Sequence, residues 1–172
     1  MDWTVRHAIA EDAPAVREIA RDSWHAAYDE FLGAEQVEEF TDEWYALGEL
    51  KDSIAAASER DTASFLLARS GESAVGFAHA GPDPNHDSSA HLIRLYARPR
   101  VWGDGVGTAL LSRLEDELDA RYERLRLVVL ADNDVGISFY EATGFDRVEA
   151  RRSDLDGIDG GTLEEYVYEK SL

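Results

Sequence analysis

Between His91 and Ala120 the chain reads HLIRLYARP, then RVWGDGVG, then TALLSRLEDELDA. An apolar, β-prone run closes at Pro99, glycines follow at alternate positions (Gly103, Gly105 and Gly107), and an amphipathic helical pattern begins at once. Without Cβ atoms, those glycines let the backbone turn tightly and come close to a ligand. A helix starting near Gly105 points its first unbonded N–H groups, and the positive end of its dipole, out of the turn. Such an end suits an anion, a phosphate above all. The same composition also serves a plain strand-to-helix connection, so the anion reading needs support from the rest of the chain.

The chain is expected to form one domain over residues 1–172, long enough to bury a proper core, and its 44% hydrophobic content fits a globular protein. No apolar run approaches a membrane span, and the N-terminus lacks a basic stretch followed by a hydrophobic one, which predicts a cytoplasmic protein with no membrane partner. With no cysteine, disulfides, thiolate metal sites and cysteine nucleophiles are excluded. The charge is unusual: 36 acidic residues face 17 basic ones for a net −19, and Lys51 and Lys170 are the only lysines. The acids are spread over nearly every segment, so the whole surface is acidic. Self-repulsion at that charge destabilises a compact state, and salt screens it. The economical explanation is adaptation to high intracellular salt, as in halophilic archaea. No basic patch is evident, which disfavours a nucleic acid partner.

TVRHA, Thr4 to Ala8, alternates as a short strand should. Asp12 followed by Pro14 predicts a helix start, and Val16, Ile19, Ala20, Trp24 and Ala27 give one apolar helical face through Tyr28. Glu30 to Ala57 predicts one or two acidic helical segments with Phe31, Leu32, Val37, Phe40, Trp44 and Tyr45 as buried contacts, the aromatic ones among them open to lining an acceptor-substrate cleft instead. Ala63–Arg69 and Ala74–Ala80 read as a hairpin about Ser70-Gly71-Glu72. Gly81 to Ser89, rich in turn formers, reads as a loop; the spacing of its Asp83, His86 and Asp87 matches no metal site. Downstream, Leu125–Leu130 is a buried strand candidate, and Ala131–Asp134 a turn and cap. Gly136 to Ala142 is a short helix stopped by Gly144, and Phe145–Arg151 and Leu163–Glu169 are two further strands. Asp154 to Gly161 reads as a solvated connection that lacks the calcium-loop pattern. One mixed α/β domain is the expected product, with no metal.

The order of LYARP, WGDGVGTALL and ADNDVGISFYEATGF resembles the GNAT superfamily of acetyl-CoA-dependent N-acetyltransferases, over nearly the whole chain from TVRHA to LEEYVYEK. That family's pyrophosphate loop, Gln/Arg-x-x-Gly-x-Gly/Ala, is matched at its glycines by Trp102-Gly103-Asp104-Gly105-Val106-Gly107. Its later Asn-x-x-Ala-x-x-Phe/Leu-Tyr-x-x-x-Gly-Phe corresponds to Asn133, Gly136, Phe139, Tyr140, Gly144 and Phe145. Trp102 stands where the family has Gln or Arg, and Asp104 adds a negative charge that must point outward if the loop holds a pyrophosphate.

The resemblance implies a twisted, mostly antiparallel mixed sheet with helices on both faces and a splayed parallel strand pair that admits the cofactor. It implies that amides of Gly103 to Thr108 hold the CoA pyrophosphate, with Arg98 or Arg100 able to add charge or else purely structural or surface residues. The backbone of Leu95, Tyr96 and Ala97 would pair with the pantetheine arm. One of those amides would polarise the thioester carbonyl for direct attack by a primary amine. Tyr140 occupies the position of the acid that protonates the leaving thiolate, and Asn133 would bond the pantetheine arm or else cap its helix. His91 falls where some members carry a strand glutamate acting as base through water; His79, Glu30 or no side chain at all remain open. A catalytically inactive acyl-CoA-binding regulator and a nucleotide-binding enzyme are the rival functions, the latter opposed by the G-x-G-x-G spacing. Peptide N-termini, lysines, polyamines, aminoglycosides and small amino compounds all remain possible acceptors, and a homodimer is compatible.

Overall fold

The computed structural model describes residues 3–156 and 162–172. Its centre is a seven-stranded mixed sheet in the order β1-β2-β3-β4-β5-β7-β6. The strands are β1 (Thr4–His7), β2 (Ser64–Ser70), β3 (Ser73–Asp83), β4 (His86–Ala97), β5 (Arg124–Leu130), β6 (Asp146–Asp156) and β7 (Thr162–Ser171). Every neighbouring pair is antiparallel except β4 and β5. Helices α1 (Ala13–Leu32), α2 (Ala34–Trp44) and α3 (Leu47–Ser58) cover one face, and α4 (Val106–Leu118) and α5 (Asp134–Ala142) the other. No described helix is long and apolar enough to cross a membrane.

Each face is covered because the sequence supplies the matching stripe. In α1, Val16, Ile19, Ala20, Trp24 and Tyr28 fall on one side and are buried with Leu50, Ile54, Phe65, Leu67 and Phe77. In α4, Val106, Leu110, Leu111, Leu114 and Leu118 repeat at helical spacing against Leu66, Ala78, Leu92 and Leu125. Each large aliphatic side chain so buried contributes on the order of 1.5–3 kcal/mol. The two layers approach closely at Gly76, where a Cβ would lie 2.9 Å from Val106 Cγ1 and 3.2 Å from Leu110 Cδ1. A bare backbone at that position seats the first turn of α4 on the sheet. Pro14 sits in the first turn of α1, and the Asp12 carboxylate before it accepts from Ile9 N–H and Arg6 at 2.8 Å each. The start of α1 is thereby tied to β1.

Residues 81–83 and 86–89 are not a loop. They extend β3 and β4 around a two-residue turn at Pro84 and Asn85, where Asp83 Oδ1 accepts the Asn85 N–H at 2.9 Å. The turn formers act at two positions only, and Pro82 is tolerated because the register breaks beside it, between Pro82 and Asp83. Residues 154–156 likewise continue β6, whereas 157–161 of the expected connection lie outside the described residues.

Gly33, at φ 87°, breaks the long helical run into α1 and α2. The two helices are clamped by His25, whose Nδ1 bonds Asp29 at 2.7 Å and whose Nε2 bonds Glu38 of α2 at 2.8 Å, while Arg21 also pairs with Glu38. Burial opposes the imidazolium charge, but the bonds to Glu38 and Asp29 outweigh it and raise the His25 pKa above its ordinary value. A raised folded-state value gives stability that is fully present below about pH 6.5 and disappears as pH rises through the folded pKa. Melting curves of the wild type and His25→Gln across that range should differ most on the acid side and converge on the alkaline side. A constant difference would show that the clamp does not depend on charge.

Candidate functional site

Strand β4 carries a bulge: His79 of β3 faces Arg94 and Ala80 faces Leu92, leaving Ile93 as the extra residue. A bulge bends its strand. Accordingly β4 pairs with β5 only at Ser89–Arg124, Ala90–Leu125 and His91–Arg126, and the two strands then part. Between them opens a cleft of about 460 Å³, lined on one side by Leu92, Ile93, Leu95, Tyr96 and Ala97 and on the other by Leu127, Val128 and Val129. The ends of α4 and α5, and Ser23, Ala27 and Tyr28 of α1, complete the walls. Ile93, Val128 and Val135 are 44%, 41% and 50% exposed and all line the cleft, as apolar side chains do where a ligand is to cover them.

The open edge of β4 supplies hydrogen-bonding groups. Arg98 N–H donates to Val75 O at 2.8 Å, and a Cβ on Gly76 would lie 3.1 Å from Tyr96 O. Backbone groups alternate sides along a strand, so those of Tyr96 face β3 while those of Leu95 and Ala97 face the cleft. The expectation that all three residues offer backbone pairing is therefore corrected: Tyr96 contributes its side chain. Trp102 Nε1 donates to Ala97 O at 2.9 Å, binding the turn back onto the strand end. This is what tryptophan does in place of a polar side chain at the loop entrance, and it leaves Leu95 N–H, Leu95 C=O and Ala97 N–H for a ligand.

Gly103 and Gly105 have φ of 83° and 98°, which favour glycine, and Gly105 precedes the first turn of α4. The first backbone bond of α4 is Ala109 N–H to Gly105 O, so Val106, Gly107 and Thr108 N–H have no intrahelical acceptor. All three residues line the cleft. Gly107 has a packing role as well, since a Cβ there would meet Phe139 Cε1 at 3.0 Å. Asp104 is exposed and absent from the lining, and its main-chain carbonyl accepts from Trp3 Nε1 at 3.2 Å.

On the opposite wall, Asn133 caps α5: its Oδ1 accepts Gly136 N–H, and its Nδ2 donates to the Tyr28 hydroxyl, both at 2.9 Å. Tyr140 lines the cleft between the edges of Phe139 and Phe145, with ring centroids at 5.5 and 5.6 Å. Burial, and then the neighbouring Tyr96, push its pKa upward, so the phenol stays protonated at neutral pH.

The charged candidates fare differently. Arg98 does not reach the turn: its Nε donates to Ala74 O at 2.9 Å and its Nη1 pairs with Glu18 and Asp22 of α1 at 3.0 Å each. Arg100 is exposed and outside the lining, as is Glu30. His79 is stacked on Phe65 at 4.7 Å, and burial, then the charges of Arg94 and His91, pull its pKa to about 3. An imidazole so placed is no base for the cleft. His91 sits on the last paired rung, one residue before the lining begins, with its pKa lowered chiefly by burial. Among the described residues no charged side chain lines the cleft. Tyr28 was legible in the sequence only as the end of an apolar helical face; its hydroxyl is the signal that distinguished it from core.

Residues 14–145 match the model of the acetyltransferase (GNAT) family. The chain is 31% identical over 160 residues to a spermidine N(1)-acetyltransferase of Thermoplasma acidophilum, covering 92% of this chain and 94% of that one. The crystal structure of PaiA N-acetyltransferase from the same organism, in complex with coenzyme A, superposes with a TM-score of 0.83 at 28% identity over the full length of both chains. A GCN5-related N-acetyltransferase structure from Rhodopseudomonas palustris has the same fold, with a TM-score of 0.78 at 23% identity over 100% of this chain and 97% of that one.

The turn can be tested through its backbone. Gly105→Ala forces a Cβ into a left-handed conformation and should lose about 1–2 kcal/mol of stability in denaturant titration. Gly48→Ala, in α3 with nothing within 4 Å of the added Cβ, should instead gain up to about 1 kcal/mol. Equal effects at both positions would contradict the assignment of conformational strain to the turn.

Proposed function

The chain belongs to the acetyltransferase (GNAT) family, and from that premise we propose that it transfers an acetyl group from acetyl-CoA to a primary amine of a polyamine. The observation that supports this best is the pairing of an open, unpartnered edge of β4 with the unbonded amides at the start of α4, both facing one cleft. That arrangement suits a long amide-bearing arm ending in a pyrophosphate. A spermidine acetyltransferase among the relatives supports a small cationic acceptor. The acidic surface supports a protein of the cytoplasm of a salt-adapted cell, and residues 1–172 are read as one acyltransferase domain.

The donor's phosphates lie against Val106, Gly107 and Thr108 N–H, and its arm extends β4 through Leu95 and Ala97. A backbone amide of β4 at the bulge polarises the thioester carbonyl. The neutral amine attacks that carbon; the C–S bond breaks as the C–N bond forms, and the Tyr140 hydroxyl delivers its proton to the departing sulfur and is restored, through water, by the proton the acylated nitrogen loses. No imidazole or carboxylate of the described residues lines the cleft, so the proton that the acceptor's ammonium gives up before the attack leaves through water. His91, neutral because it is partly buried, is the side chain proposed to receive it.

Thiol release from acetyl-CoA should occur with spermidine at a kcat/KM at least about tenfold above that for a simple alkyl monoamine or a peptide amine. Tyr140→Phe should lower kcat by about 100-fold or more while leaving the KM for acetyl-CoA within a few-fold. Binding of acetyl-CoA without turnover on any amine would overturn the enzymatic reading, and a preferred peptide acceptor would overturn the polyamine.

A further inference from the structure

The bond between Asn133 and Tyr28 takes no part in the reaction as outlined, yet it crosses the cleft from α5 to α1. Its direction is fixed by the helix cap. Asn133 Oδ1 accepts Gly136 N–H at 2.9 Å, and an amide nitrogen could not do so. The side-chain amide is therefore turned with Nδ2 toward Tyr28, whose hydroxyl oxygen it meets at 2.9 Å. An Asn nitrogen only donates, so the Tyr28 oxygen is the acceptor in that bond and its proton goes elsewhere. No described protein group receives it. Tyr28 is only 5% exposed, but it lines the cleft, where Tyr96 and Tyr140 lie close enough to act on its ionisation.

Gly136 permits this placement. A Cβ on that residue would lie 2.7 Å from Asn133 Nδ2 and 3.1 Å from Asn133 Cγ. The alanine that the GNAT motif has here would push the amide away from its present position. Glycine at 136, the rotated Asn133 amide and the tethered Tyr28 hydroxyl thus form one unit.

We propose that Tyr28 is a ligand-binding residue of the cleft, presenting its O–H to a carbonyl oxygen of the acyl donor's pantetheine arm, with Asn133 and Gly136 as positioning residues. The proposal rests on the acyl-CoA reading of the cleft. A carbonyl is the fitting acceptor for three reasons. The phosphates are matched by the amides of α4 at the other end, the neighbouring wall is neutral and apolar, and the attacking amine must keep its lone pair free. Asn133, with Oδ1 accepting Gly136 N–H and Nδ2 donating to Tyr28, acts on the arm by holding the Tyr28 hydroxyl in place.

Calorimetric titration with acetyl-CoA of the wild type, Tyr28→Phe, Gly136→Ala and the double variant tests it. Loss of one neutral hydrogen bond should weaken binding by about 2- to 12-fold in Tyr28→Phe. Gly136→Ala should weaken it similarly, and the double variant should be no weaker than the weaker single one, because both changes remove the same contact. Melting temperature falls in any case, since Asn133 loses its partner, and so does not decide. Unchanged affinity of folded Tyr28→Phe, or effects that multiply in the double variant, would overturn the role of Tyr28. If Tyr28→Phe does not fold, unchanged affinity of Gly136→Ala does the same. A wild type that binds no acetyl-CoA would overturn the acyl-CoA reading itself, and is distinguished by appearing before any substitution.

Discussion

The structure depends on one interruption: the parallel pairing of β4 with β5 stops at His91, because the bulge at Ile93 turns β4 away. A fully paired sheet would satisfy the amides of Leu95 and Ala97 and bury Ile93 and Val128 against one another. Parting the strands instead leaves hydrogen-bonding groups and apolar side chains facing the same gap. That state persists because both flanking pairs are intact: β4 is held along β3, and β5 along its whole length by β7. Two well-packed layers, α1–α3 on one face and α4 on the other, keep the halves from closing. The cleft is therefore a property of the sheet, and the loops and helix ends only furnish it.

What furnishes it is almost free of charge. The protein carries −19 overall, yet the turn before α4 presents backbone amides and a helix terminus to the cleft, with Asp104 outside and Arg98 occupied by Glu18 and Asp22. Orientation comes from neutral groups as well. Trp102 ties the turn to Ala97, and Asn133 ties α5 to α1 through Tyr28. Neutral hydrogen bonds of fixed direction keep their strength as salt rises, whereas exposed ion pairs do not. An acidic protein that must bind an acidic ligand gains most from this arrangement.

Much of this was legible in the sequence because local chemistry dictated it. Strand, glycine turn and helix between His91 and Ala120 followed from Pro99, the alternate glycines and the Leu110–Leu114–Leu118 stripe, and the Asn133 to Phe145 motif marked the opposite wall. Long-range consequences were not legible. Turn formers at 81–89 suggested a loop, but only Pro84 and Asn85 turn, since pairing with the partner strand overrides composition on either side. For Arg98 the sequence left a phosphate role and a structural one both open, because its partners, Glu18 and Asp22, lie far away in sequence and meet it only once α1 packs on the sheet. Tyr28 read as core for the same reason: its bond to Asn133 joins residues 105 positions apart.

As proposed, the cleft holds the phosphates of an anionic acyl donor through backbone amides and a helix dipole, with no charged side chain in its lining, within a strongly acidic protein. The affinity for acetyl-CoA as a function of salt measures this most directly, with the uncharged thioester S-acetyl-N-acetylcysteamine as the reference for any change in folding. Between about 0.1 M and about 1 M salt the screening length falls from about 10 Å to about 3 Å, which removes the general repulsion while contacts at the turn remain. Acetyl-CoA should bind more tightly as salt rises, and the uncharged thioester should not. A steep loss of acetyl-CoA affinity with salt, as produced by displacement of counterions from a basic site, would contradict the account.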